Sequence, residues 1–109
     1  MKPEMLNKFI AQMKIELAET ESKYPHFADG VSERSAGNVK FILKALRDLN
    51  GKPPYMADRI ILEEVFEAIA AYQEKDLVHA QQELAQCGEV ILRTMEMLEN
   101  EIENAEGAK

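Results

Sequence analysis

An all-α fold is predicted, and three observations predict it. Apolar residues recur at spacings of three and four along most of the chain, as a helix with one buried face requires. No run of alternating β-branched residues is long enough to build a sheet. The chain is also 109 residues long, the size of one ordinary domain. A single domain spanning 1–109 is therefore expected.

The first helix is expected over about Pro3 to Glu21, with Met5, Leu6, Phe9, Ile10, Met13 and Leu17 on one stripe. Pro25 closes it, because proline disfavours helical geometry in the residue before it. The segment His26-Phe27-Ala28-Asp29-Gly30 reads as a loop, so residues 1–30 form an N-terminal helix and loop. Ser32 or Ser35 is placed to cap the second helix, which carries Val39, Ile42, Leu43, Leu46 and Leu49. Asn50-Gly51 is expected to end it in the left-handed conformation of a C-terminal cap, with Pro53-Pro54 preventing continuation. A third helix begins between Pro54 and Ala57 and runs to about Glu74. Asp76 is a candidate N-cap for the fourth, so helices three and four are antiparallel neighbours across a very short connection. Residues 54–103 form this hairpin.

Composition narrows the function. Thirteen Lys and Arg against 20 Asp and Glu give a net charge of −7, the wrong sign for a general nucleic-acid binder or for an anionic membrane surface. A hydrophobic content of 46% excludes disorder, and no apolar run approaches the roughly 20 residues that span a bilayer. One cysteine, Cys87, allows neither an internal disulfide nor a cysteine-built zinc site. With no hydrophobic signal segment after Met1, a cytoplasmic address is expected.

The hairpin places carboxylates where a core is expected. At about 100° per residue, Ile60, Glu64, Glu67 and Ala71 fall on one stripe of the third helix with Glu63 at its margin. Leu62, Val65, Phe66, Ile69 and Tyr72 cover the other side. Such a helix is apolar nearly all round and needs cover on several sides. Carboxylates flanked by Ile60 and Ala71 need a partner, and a cation is the usual one. On the fourth helix His79, Glu83, Gln86 and Val90 share a stripe. Antiparallel pairing brings Glu83 and Gln86 opposite Glu64 and Glu67, a set of oxygen ligands suited to a hard cation such as Mg²⁺.

These residues resemble a family. Glu63-Glu64-Val65-Phe66-Glu67, followed by Glu83-Leu84-Ala85-Gln86, is similar to the EExxE…ExxD signature of the all-α MazG-like nucleoside triphosphate pyrophosphohydrolases. With 16 glutamates in the chain, the first motif alone carries little weight. Its combination with the second motif, the hairpin and the apolar registers around them carries the resemblance, which covers about Arg59 to Leu98. It implies a four-helix bundle completed by oligomerisation to a dimer or tetramer. It implies hydrolysis of nucleoside triphosphates to monophosphate and pyrophosphate in nucleotide-pool house-cleaning, with Mg²⁺ or Mn²⁺ as cofactor. Carried over residue by residue, the metal ligands are Glu64, Glu67, Glu83 and Gln86, with Glu63 positioning water or a further metal and serving as the candidate catalytic residue, a general base or water-orienting group. Two positions depart from the pattern: Gln86 stands where relatives have Asp, and Phe66 where many have glycine.

Arg59 and Lys40 are candidates to meet phosphates, and Phe27 and Tyr55 to stack a base. His79, one turn before Glu83, reads as a surface histidine, and Cys87 as a packing residue. A rival reading from another class is a catalytically degenerate protein of the same fold acting as a helical oligomerisation or binding module. A phosphoribosyl-ATP pyrophosphohydrolase shares the architecture but matches only at the glutamates.

Overall fold

The computed structural model describes residues 1–32 and 36–107. It contains four helices, α1 (Pro3–Lys23), α2 (Ala36–Asn50), α3 (Ala57–Gln73) and α4 (Leu77–Gly107), with no strand among the described residues. The expected all-α class and helix order are observed. No helix of the described residues is long and apolar enough to cross a membrane. The chain divides into two compact units: Gly30–Ile91, and Met1–Asp29 with the part of α4 from Leu92 onward.

In the second of these, α1 opens with Pro3 in its first turn, where the missing N–H has no helical partner to lose. Phe9 is buried, and Met5, Leu6 and Ile10 are half-buried. The predicted stripe stops there, since Met13 and Leu17 are exposed. Lys8 Nζ lies 3.1 Å from Glu99 Oε1 on α4, a surface ion pair worth at most about 1 kcal/mol.

The Gly30–Ile91 unit holds α2, α3 and the first half of α4, with α2 packed on α3. Val39, Leu43 and Leu46 are buried, spaced four and three apart on one stripe. Asn50 falls next on that stripe and is half-buried, so its side chain is carried against α3. Ile42 and Leu49, off the stripe, stay exposed. Ser35, one of the two capping candidates, lies outside the described residues. Ser32 instead accepts at its carbonyl a hydrogen bond from Gln73 Nε2 at 3.0 Å. Gly30 adopts a φ of +141°, and a side chain there would also meet the Tyr72 hydroxyl at 3.3 Å, so glycine fits this turn.

Helix α2 does end at Asn50, but Gly51 is not left-handed; the positive-φ cap falls at Lys75, with φ 65°. Lys75 N–H donates to Tyr72 C=O at 2.9 Å and Asp76 N–H to Ala71 C=O at 3.0 Å. These two bonds are a Schellman motif, which satisfies the last carbonyls of α3 and turns the chain into α4. Asp76 then caps α4 as expected: its Oδ1 accepts from His79 N–H at 3.1 Å, and its carbonyl accepts from Ala80 N–H. A β-branched residue tolerates the left-handed region worse than lysine. Lys75→Val is therefore expected to lower stability by about 1 kcal/mol in urea denaturation, with helix content unchanged.

Candidate metal centre

Three glutamates of α3 converge because of their spacing. Glu63 and Glu67 are four apart and Glu64 and Glu67 three apart, so they neighbour one another on the helix surface. One oxygen from each lies within 4.8 Å of the others, and all three side chains are half-buried. Across the hairpin, α4 buries Ala80, Glu83 and Cys87 on one stripe. Glu83 is only 8% exposed, a carboxylate at a core position. Its Oε1 is 2.7 Å from His79 Nε2. Gln86, one turn on, donates to Glu83 Oε2 at 3.1 Å and to Glu64 Oε2 at 3.3 Å once its amide is oriented so that nitrogen faces the carboxylates. Gln86 thus bridges the two helices' carboxylates.

The electrostatics of this cluster are unfavourable without a cation. Burial pushes the Glu64 carboxyl above its usual range, and the charges of Glu67, Glu83, Glu63 and Glu89 push it further the same way. The buried Cys87 thiol is likewise pushed up, first by burial and then by Glu64, which keeps it protonated and unreactive. Glu67 is paired with Arg47 at 3.4 Å. Glu63 Oε1 accepts from Asn50 Nδ2 at 3.0 Å, and the same nitrogen donates to the Arg59 carbonyl at 3.1 Å.

The donor set fits a hard divalent cation. It offers three carboxylate oxygens of α3, from Glu63, Glu64 and Glu67, close enough to share one ion, with Glu83 of α4 linked to Glu64 through the Gln86 amide. Its neighbouring negative charges, which add to burial in raising the Glu64 carboxyl, are ones that an ion would neutralise.

Beside the glutamates lies a cleft of about 510 Å³, walled by Lys40, Leu43 and Arg47 from α2, by Glu67, Ala70, Ala71 and Glu74 from α3, and by His79 and Glu83 from α4. Among the residues expected from sequence, Glu63, Glu64, Glu67, Glu83 and Gln86 are brought together, and Lys40 lines the cleft. Arg59 supplies its backbone carbonyl to Asn50, and neither it nor the exposed Tyr55 lines the cleft. Phe27 is 95% exposed and belongs to the other unit.

Sequence reasoning missed Arg47 and Asn50 and undervalued His79. Asn50, followed by Gly51, carries a cap signal, although its place on the Val39-Leu43-Leu46 stripe points inward. Arg47 lies seven residues from Lys40 and shares its face. His79 is half-exposed, as a surface residue should be, yet it holds Glu83. Because Asn50 Nδ2 bridges two helices while its Oδ1 is buried without a partner, Asn50→Ala is expected to cost about 1–3 kcal/mol in urea denaturation. Asn50→Asp should cost more, since it sets a carboxylate against Glu63.

No protein-family model, curated protein or solved structure matches the chain.

Proposed function

We propose that the protein is a Mg²⁺-dependent nucleoside triphosphate pyrophosphohydrolase, as its resemblance to the MazG-like family implies. The observation that carries the proposal is the convergence of Glu63, Glu64 and Glu67 on α3 with Glu83 and Gln86 on α4, beside a cleft. Glu64, Glu67 and Glu83 would hold Mg²⁺ or Mn²⁺, with the Gln86 carbonyl turned inward as a neutral ligand. Bound there, the cation supplies charge neutralisation for the triphosphate. Glu63, held at one oxygen by Asn50, would take a proton from the water that attacks the α-phosphorus. That attack breaks the bond to the bridging oxygen and releases pyrophosphate. An acidic site repels a nucleotide unless a cation mediates, so activity should depend strictly on the metal.

The reading also includes self-association. No side chain among the described residues is fully buried, and Phe41 (75% exposed) and Leu84 (57% exposed) stand uncovered on α2 and α4. A dimer or tetramer covering such surface, with Ile61, Val65, Ile69 or Ile91 at its interface, should appear in sedimentation at micromolar concentration. A stable monomer would contradict it.

One observation favours the second reading, a degenerate oligomerisation module. Gln86 already ties Glu64 to Glu83 through its amide, so the cluster has a neutral link in place of an ion. Pyrophosphate release from a panel of ribo- and deoxynucleoside triphosphates with Mg²⁺ or Mn²⁺ separates the two. An active enzyme should need high Mg²⁺, and Gln86→Asp, which restores an anionic ligand, should lower that requirement. No release by either protein would leave the module as the better account.

A further inference from the structure

The chain carries −7 overall, yet α2 runs against that sign. Within Ala36–Asn50 stand Lys40, Lys44 and Arg47 against the single acid Asp48. Neither Lys40 nor Arg47 has a carboxylate three or four residues away on its own helix, where helical ion pairs form. Both flank the buried stripe, one turn on either side of Leu43, and both line the cleft opposite Glu67 and Glu83. Lys40 has no ion-pair partner among the described residues. Arg47 reaches Glu67 through one nitrogen at 3.4 Å, a long bond for an arginine–carboxylate pair, which prefers about 2.7–2.9 Å. Its side chain is 57% exposed, so it is free to turn.

We infer that Arg47 and Lys40 are the phosphate-contacting residues of this cleft. Arg47 is also an exchangeable counter-ion, pairing with Glu67 while no divalent cation is bound and moving to phosphate oxygens when one is. The inference rests on the metal-site reading above and adds to it the residues on the opposite wall. A metal–polyphosphate complex is bipolar: its cation end matches the carboxylates of α3 and α4, and its phosphate end matches the cations of α2. The Arg47 guanidinium presents a planar fork of donors that fits two phosphate oxygens, whereas Glu67 engages only one of its nitrogens. Lys40, seven residues away on the same face, extends the contact along a chain of phosphates as a point charge. The exchange keeps the cleft balanced in both conditions. Glu67 trades a guanidinium for the metal, and the guanidinium trades a carboxylate for phosphate. Without the metal, Glu67 holds Arg47 and the cleft repels the polyanion.

Two titrations test this, neither depending on turnover. Binding of Mn²⁺ alone reads the carboxylates, and binding of inorganic tripolyphosphate at saturating Mg²⁺ reads the α2 wall. Arg47→Gln is expected to bind Mn²⁺ alone as tightly as the native protein or more tightly, because a competitor for Glu67 is gone. Its tripolyphosphate affinity should fall about 10- to 100-fold, the loss of a charge-assisted pair of hydrogen bonds. Arg47→Lys should recover part of that affinity, and Lys40→Gln should lose a smaller factor. Unchanged tripolyphosphate affinity in both Arg47→Gln and Lys40→Gln, with Mn²⁺ binding intact, overturns the inference and leaves the metal site standing. Weaker Mn²⁺ binding by a folded Arg47→Gln overturns the exchange. Failure of the native protein to bind Mn²⁺ at all overturns the metal-site reading itself. If Arg47→Gln loses its helical spectrum, the exposed Lys40→Gln decides alone.

Discussion

Glu64→Gln is expected to move the melting temperature in opposite directions with and without metal. In EDTA at neutral pH the variant should melt above the native protein. Glu64 has its carboxyl raised by burial and by four neighbouring carboxylates, so the folded state holds its proton more tightly than the unfolded chain. The stability this gives is complete below the unfolded value near 4.5 and is lost as pH rises through the higher folded value. As pH rises toward neutrality the native protein loses this contribution, whereas an uncharged amide in the same place loses nothing. The variant's stability should therefore decline less between pH 4.5 and neutrality. Gln86 still finds an acceptor there, since the new amide keeps an oxygen. In Mg²⁺ or Mn²⁺ the order reverses. A cation at 100 times its dissociation constant stabilises the native fold by about 2.7 kcal/mol, which is about 10 °C or more for a chain of this size. Glu64→Gln and Glu67→Gln should both lack most of that rise. Melting of the native protein that ignores a wide Mg²⁺ titration would remove the metal site, and a lower melting temperature for Glu64→Gln in EDTA would contradict the electrostatic account.

The sequence made the helices legible because their signals are local. Spacing of apolar residues, Pro3 near a helix start and Asp76 before another are each read within one or two turns, and all three are observed. The carboxylate cluster was legible for a related reason. Glu64 and Glu67 lie three apart, and the short connection at Lys75 leaves only one antiparallel register in which Glu83 and Gln86 face them. What stayed hidden depended on a third element. Whether Arg47 meets Glu67 or solvent is decided by how α2 crosses α3, and no spacing within α2 states that angle. Asn50 illustrates the competing signals: asparagine before glycine is strong cap chemistry, yet continuation of the buried stripe overrode it and delivered the side chain to Glu63. The same limit applies to α1, whose stripe of six apolar residues is covered only through Ile10.

Leu43→Ala is expected to remove a large part of the stability of the metal-free protein, and Mg²⁺ is expected to restore some of it. Leu43 is buried at the centre of the α2 stripe and also forms a wall of the cleft. Truncating a buried leucine costs about 2–5 kcal/mol, the larger values arising where the surroundings cannot collapse into the gap. Collapse is restricted here, because the apolar residues lining the cleft with Leu43 are Ala70 and Ala71, whose methyl groups cannot extend into a gap, and the rest of the lining is polar or charged. The native core is thin: among the described residues the buried apolar side chains larger than alanine are Phe9, Val39, Leu43, Leu46 and Cys87. Against a typical total of about 5–15 kcal/mol, that loss should shift the urea midpoint sharply downward. Cation binding acts only on the folded form, so Mg²⁺ at 100 times its dissociation constant should return about 2.7 kcal/mol to Leu43→Ala. The double variant Leu43→Ala/Glu64→Gln should show no such return, though in EDTA it should be no less stable than Leu43→Ala alone. Rescue of the double variant by Mg²⁺ would place the stabilising ion somewhere other than the carboxylates of α3 and α4.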